Sequence, residues 1–322
     1  MSPSADSRPP TDPPRGERAL VRAIGQMISR PAGEALPRVP FGDDMAAVPG
    51  ESRLLWTTDT LMDGVDFESG RHAWNAIGRK ALAVSLSDCA AMAAQPIAAL
   101  ASVVLDERLS HADALELHRG IFELGQSYRC PLVGGDTNSW RHPTVISTTV
   151  LARVEIGANP VPRAGARAGD TLWISGPLGG SILGRHLWFE PRIALARTIR
   201  DTLAPRAMMD ISDGLVIDLS RMLENSGCGA RLDRPALTHA IHADAQTLAL
   251  EDARPALDHA LYDGEDFELL IALTPLSNPD TASALGLIRI GEIVSGAADI
   301  TLREADGRER ALEIRGWEHF RA

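Results

Sequence analysis

Blocks of apolar and polar residues along this chain alternate at two periods, one helical and one extended. Leu20, Val21, Ile24, Met27 and Ile28 fall on one helical face, and Pro31 with Gly33 ends that element. The longest helical pattern is Ala/Leu-rich and runs from about His72 to Ala94, where Gln95 and Pro96 stop it. Further helices are expected at Ser110 to Tyr128, Arg192 to Thr202 and Asp213 to Asn225. β-Branched and alternating runs predict strands at Arg53 to Thr58, Ile97 to Leu105, Pro131 to Val133, Thr144 to Val154, Asp170 to Ser175, Arg231 to Leu232 and Phe267 to Leu273. The Pro/Gly/Arg-rich passage from Asn159 to Gly169 breaks this rhythm and is the best domain boundary. No repeat at solenoid periods is present. The pattern therefore predicts two tandem α+β or α/β domains, residues 17–155 and 156–322, behind a disordered tail at 1–16.

Length agrees, because 322 residues exceed what one hydrophobic core usually organises. The net charge of −11 argues against a nucleic-acid partner, since affinity for a phosphate backbone comes from cationic surface. Cys89, Cys130 and Cys228 are dispersed and lack C-x-x-C spacing, so neither a disulfide framework nor a structural zinc site is indicated, and a reducing cytoplasm fits. The tail lacks the apolar core of a signal peptide, and no uninterrupted apolar stretch is long enough to span a bilayer, so no membrane partner is expected.

The candidate chemistry lies in five segments that put aspartates where an apolar run ends. They are Gly42-Asp43-Asp44, Thr57-Thr58-Asp59-Thr60, Ser85-Leu86-Ser87-Asp88, Gly134-Gly135-Asp136 and Asp210-Ile211-Ser212-Asp213. Each has a plain structural reading: a turn, a helix N-cap or ST-turn, a solvent-facing helix position, a glycine turn, and acids favoured at a helix start with Ser212 as cap. Their recurrence in one chain is what points to chemistry. A carboxylate at the mouth of a buried element is costly unless a cation meets it, and several oxygen ligands together suit magnesium. The cation is not an array of lysines, for Lys80 is the only one, and no Walker-type loop is present. Gly176 to Ser181 could cradle an anion on backbone amides or merely connect two elements. Arg163 could neutralise a phosphate or be a solvated surface arginine, and the acidic turn Tyr262 to Glu268 could equally be a solvated hairpin.

In this order, these segments resemble the thiamine-monophosphate kinases of the aminoimidazole-ribonucleotide-synthetase-like superfamily. The likeness runs from about Arg18 to the C-terminus and includes Lys80 to Asp88, Leu132 to Thr137, Asp210 to Leu215 and Gly264 to Leu269. The resemblance implies an N-terminal α+β domain that dimerises through its sheet, a C-terminal α/β domain, and a site between them. It implies transfer of the γ-phosphoryl group of ATP onto thiamine monophosphate with Mg2+, in a homodimer. Asp44, Thr57, Thr58, Asp59, Asp88, Asp136, Asp210 and Asp213 would then be metal ligands, with Asp59, Asp88, Asp136 and Asp213 central to catalysis. Gly135, Asp136, Arg163 and Ser212 would contact nucleotide, and Asp66, Glu265 and Trp317 the acceptor. Phosphoryl transfer between two anions needs charge neutralisation and alignment more than a covalent intermediate, which fits the lack of an obvious Ser/His or His/Asp pair. Trp317 suits a cationic thiazolium or, equally, an aromatic plug of the C-terminal core.

Three departures from the family pattern stand out: Asp66 where a histidine is common, a shortened stretch from Gly176 to Pro191, and Asn138 in place of a threonine. Asp66 keeps open a superfamily enzyme with a different acceptor. A catalytically silent nucleotide-binding protein is the competitor from another class. Selenophosphate-synthetase-like chemistry and the hydrogenase-maturation relative are disfavoured, since no cysteine precedes Cys89 and none follows His319.

Overall fold

The computed structural model describes residues 43–48, 53–155, 157–275 and 277–318. The helix expected at Leu20 to Ile28 and the tail at 1–16 lie outside them, as does Gly42. Described residues up to Trp317 belong to one compact unit.

Two sheets organise it. The first has the order β1-β2-β5-β3-β4, from strands β1 (Ala46–Val48), β2 (Arg53–Met62), β3 (Gln95–Asp106), β4 (Leu132–Trp140) and β5 (Val145–Val154). All its pairings are antiparallel except β3 with β4. Helices α1 (Trp74–Ala91) and α2 (His111–Ser127) accompany this half. The second sheet has the order β12-β11-β8-β10-β6-β9-β7. Its strands are β6 (Thr171–Ile174), β7 (Ala207–Ile211), β8 (Gly229–Asp233), β9 (Glu268–Leu273), β10 (Ile288–Val294), β11 (Ile300–Arg303) and β12 (Glu309–Ala311). Helices α3 (Ile193–Leu203) and α4 (Leu215–Ser226) pack on it. The passage from 159 to 169 lies between the two sheets in sequence.

The pivotal element is α1. Nearly all of it is buried, which its Ala/Leu-rich run allows because small side chains let neighbours close in on every side. One core joins α1 to Leu55, Ile146 and Val150 of the first sheet and to Met208, Leu269 and Ile271 of the second. A separate core on the other face of the second sheet takes Leu215, Leu219 and Leu223 of α4. Crossing α2 requires near backbone contact: a Cβ on Gly78 would stand 1.8 Å from the Leu117 carbonyl oxygen, and one on Gly120 1.9 Å from that of Asn75.

Three sequence expectations change in ways that matter for the site. β2 continues past Thr58 to Met62 because β5 pairs with its whole length, so Asp59 sits inside a strand. Gly134-Gly135-Asp136 is no turn but the middle of β4, held in parallel register on β3, where a Cβ on Gly135 would stand 1.8 Å from the Ala101 carbonyl oxygen. Asp210 belongs to β7 and not to a helix start. The N-cap of α4 is Gly214, with no side-chain cap, so Ser212 does not cap it.

Candidate active site

α1 supplies the scaffold of the site through polar positions on an otherwise apolar helix. At 100° per residue Lys80 and Ser87 share a face, Ser85 points to another, and Asp88 lies between. Ser85 turns to the first sheet and donates to Asp59 Oδ2 at 2.8 Å. Ser87 turns to the second and donates to Asp210 Oδ2 at 2.6 Å. Asp88 accepts from the Thr57 hydroxyl. The helix thus brings acids from β2 and β7, far apart in sequence, to one place.

There, single carboxylate oxygens of Asp44, Asp88 and Asp210 lie within 4.8 Å of one another. Arg163 pairs with Asp44, while its backbone N–H donates to the Asp43 carboxylate. Burial pushes the Asp88 carboxyl well above the usual range, and the charges of Asp59, Asp210 and Asp44 push it the same way. Asp210 is raised likewise by burial and then by Asp44, against the hydrogen bond from Ser87. Asp59 is raised by burial, with Ser85 opposing and Asp44 and Asp66 adding to the rise. Without a cation, these groups resist being charged together.

A divalent metal fits this donor set. Asp44 Oδ2 is buried and has no hydrogen-bond partner among the described residues, an orphan acceptor of the kind a hard cation satisfies. The three clustered acids offer only oxygen, as magnesium prefers.

Alongside runs the turn from Ser212 to Gly214. Its three backbone N–H groups donate to Asp218 Oδ2 at 3.1, 3.0 and 3.2 Å, and Arg221 pairs with both Asp218 and Asp213. Asp218 is pushed up to about 7 by burial and by Asp213, with Arg221 resisting. Two acceptor candidates adjoin this turn: the Glu265 N–H donates to the Ser212 carbonyl at 2.6 Å and the Trp317 N–H to the Asp213 carbonyl at 2.9 Å. The Trp317 side chain is about half exposed, so it is no core plug. Arg315 stacks 4.0 Å over the Tyr262 ring beside it.

Glu265 lies on a clamped loop, not a solvated hairpin. Its backbone and that of Phe267 are left-handed, with φ of 63° and 51°. Such conformations in non-glycine residues persist only where surroundings hold them. Buried Asp266 accepts from the Gly179 N–H at 2.9 Å and from Arg185 at 3.0 Å; Ser181 donates to the Gly264 carbonyl at 2.8 Å; and Phe267 stacks on Phe189. Asp66 Oδ2 accepts from the Met62 N–H at 2.7 Å within its own turn.

Not every expected ligand converges. Strand alternation turns Thr57 and Asp59 toward α1 but Thr58 to the opposite face, where it meets Thr149 at 3.0 Å. Asp136 is on that outer face too: it pairs with Ser102, which pairs with Ser147, which pairs with Thr60. Gly135, its neighbour on β4, lies opposite Ala101 of β3. Sequence reading gave no site role to Ser85, Ser87, Asp218, Arg221 or Lys80. Only the first two had a usable signal, hydroxyls at i−3 and i−1 from Asp88 on an apolar helix.

Residues 42–154 match the family described as AIR synthase related protein, N-terminal domain. A thiamine-monophosphate kinase of Rhodopirellula baltica is 38% identical over 88% of this chain and 92% of its own. That of Escherichia coli is 32% identical over 87% and 91%. A solved structure described as AaThiL complexed with AMPPCP and TMP superposes with a TM-score of 0.81 at 28% identity, covering 95% of this chain and 97% of that one. The hydrogenase maturation protein HypE of Escherichia coli, at 21% identity and a TM-score of 0.68 over 93% and 98% of the two chains, shares the fold.

Proposed function

This chain belongs to the thiamine-monophosphate kinase family, and from that premise we propose how its residues carry the phosphoryl group of ATP to thiamine monophosphate, giving thiamine diphosphate and ADP. A relative of the same fold bound to AMPPCP and TMP supports ATP as co-substrate and thiamine monophosphate as acceptor. The convergence of Asp44, Asp88 and Asp210 carries the reading of the site.

Asp44, Asp88 and Asp210, with Thr57 and Asp59 behind them and Asp213 alongside, would hold Mg2+. Bound there, magnesium would neutralise phosphate oxygens and favour in-line transfer. Arg163 is placed by Asp44 and Asp43 to meet a nucleotide phosphate, and Ser212 sits on a turn that Asp218 keeps rigid. Glu265 and Trp317, anchored on either side of that turn, and Asp66 would face the acceptor. The acceptor atom is a phosphate oxygen that is largely deprotonated at neutral pH, so no strong general base is needed.

Thr58, Gly135 and Asp136 enter this reading through a second copy of the chain. The outer face of the first sheet exposes Trp56, Leu100 and Trp140, an apolar surface of the kind that marks a partner. A homodimer through that face would cover them. We also place the boundary between the two domains at residues 155 and 156, and the protein in the cytoplasm, where its three buried free cysteines would stay reduced. No helix among the described residues is long and apolar enough to cross a membrane.

Incubation with ATP, Mg2+ and thiamine monophosphate, followed by chromatography, tests the reading. Thiamine diphosphate is expected in step with ADP. ADP without it would favour a different acceptor, the reading that Asp66 supports, and binding of ATP without turnover would favour a silent protein.

A further inference from the structure

Lys80 is the only lysine of the chain and is fully buried, the largest such side chain among the described residues. An ammonium withdrawn from water is costly unless charged and polar partners replace the solvent. Its partners come from two distant segments: the Asp66 carbonyl, 14 residues upstream, and the Glu265 carboxylate, 185 residues downstream. The first closes the turn from Met62 to Phe67, itself tied by N–H donation from Asp66 to the Met62 carbonyl at 2.9 Å and from Gly64 to that of Phe67 at 2.7 Å. The second is the tip of a long side chain on a left-handed backbone. Glu265 keeps 27% of its side chain exposed while its oxygen meets an ammonium with no exposure at all, so one end of the pair opens outward and the other is locked in the core.

We propose that Lys80 is a positioning residue of the acceptor subsite, fixing the Glu265 carboxylate and the Asp66 turn relative to each other so that they meet the cationic face of thiamine monophosphate. This rests on the reading of Glu265 as an acceptor contact. α1 makes Lys80 suited to the task. The helix is packed from both sheets, and Lys80 shares its face with Ser87, which aligns Asp210; one rigid rod therefore spaces the metal acids and the acceptor contacts. Burial raises the Glu265 carboxyl, and the Lys80 charge pulls it back toward ionisation, which suits an anionic partner for a thiazolium. The hydrogen-bond partners of the ammonium are Asp66 and Glu265, and not the ATP-side residues Arg163 and Ser212, so its loss should fall first on the acceptor.

Steady-state kinetics on Lys80→Met, Lys80→Arg, Glu265→Gln and the double variant Lys80→Met/Glu265→Gln decide the matter. Lys80→Met is expected to raise KM for thiamine monophosphate about tenfold or more while moving KM for ATP less than about twofold, and Lys80→Arg to restore most of the loss. Because Lys80 acts through Glu265, adding Lys80→Met to Glu265→Gln should change the acceptor KM no further, a non-additivity that independent roles would not give. The double variant leaves no unpaired buried charge and so remains measurable if Lys80→Met alone fails to fold. Equal shifts in both KM values, or additive effects in the double variant, would overturn the inference and leave Glu265 as a contact. An acceptor KM untouched by Glu265→Gln would remove the reading on which it stands.

Discussion

At the residue scale, the site is a collection of negative charges that the fold holds together against their mutual repulsion. Burial pushes the carboxyls of Asp88 and Asp210 up and neighbouring acids add to it, so these groups oppose being charged together at the candidate site. Asp88→Asn and Asp210→Asn should each lower turnover at least about a hundredfold through loss of metal stabilisation of the transferred group. The same variants should melt higher than wild type in chelator and lose the rise in Tm that Mg2+ gives wild type. Melting below wild type in chelator would show that these acids stabilise the fold and are not held there for a cation. Asp266 makes a separate prediction because it lies outside the cluster. Its carboxyl is pushed up from 3.8 to about 7 by burial, against Arg185 and the Gly179 N–H. A raised carboxyl means that the folded state binds more protons than the unfolded one between those values, so its contribution to stability falls as pH rises from about 4 to 7. The Tm difference between wild type and Asp266→Asn should therefore decline across that window and level off above it. A flat or rising difference would contradict the assignment.

At the element scale, α1 determines whether the residues above meet. Its closeness to α2 depends on two glycines whose absent side chains admit the facing backbone, Gly78 against Leu117 and Gly120 against Asn75. Neither carbonyl can yield without moving a helix. Gly78→Ala or Gly120→Ala should cost about 2 to 4 kcal/mol, read from denaturant midpoints, and any folded fraction should show reduced activity, since displacing α1 displaces Ser85, Ser87 and Asp88 together. Unchanged stability in both would mean that the helices do not approach as closely as described. The same helix explains what sequence could disclose. Its existence, most strands of the first sheet and the acids at 44, 59, 88 and 210 were legible, because periodicity and an aspartate ending an apolar run are local signals. β7 was not: Ala207-Met208-Met209-Asp210-Ile211 has one β-branched residue, and only burial on both faces makes it a strand. Nor was the direction of a side chain within a strand: Thr57 and Thr58 read as one hydroxyl pair until the register of β2 on β5 sent them to opposite faces. Lys80, and Asp218 as acceptor for the amides of 212–214, were silent for the same reason, since Asp66, Glu265 and those amides lie in loops whose course no local pattern fixes.

At the scale of the whole molecule, that division of faces has a consequence for assembly. Asp44, Asp59, Asp88 and Asp210 gather on the α1 side of the first sheet, whereas Asp136, Ser102, Ser147 and Thr60 form a polar row across the other side, next to exposed Trp56, Leu100 and Trp140. A β-sheet is one backbone layer thick, but its side chains cannot pass through it. Asp136 can therefore join the acids of its own chain only around an edge, whereas a second copy docked on the outer face could bring its own Asp136 toward the first copy's nucleotide. If that is how Asp136 serves phosphoryl transfer, Asp136→Asn and Asp88→Asn should each be inactive alone. Mixed under conditions that exchange subunits, they should regain about a quarter of wild-type activity, since random pairing makes half the dimers hybrid and each hybrid has one intact site. Trp56→Arg should shift the protein toward monomer in sedimentation and lower activity in proportion, because a charge in that face is unpaired on docking. Full activity in a demonstrated monomer would confine the chemistry to the α1 side and leave Asp136 to a structural role on β4.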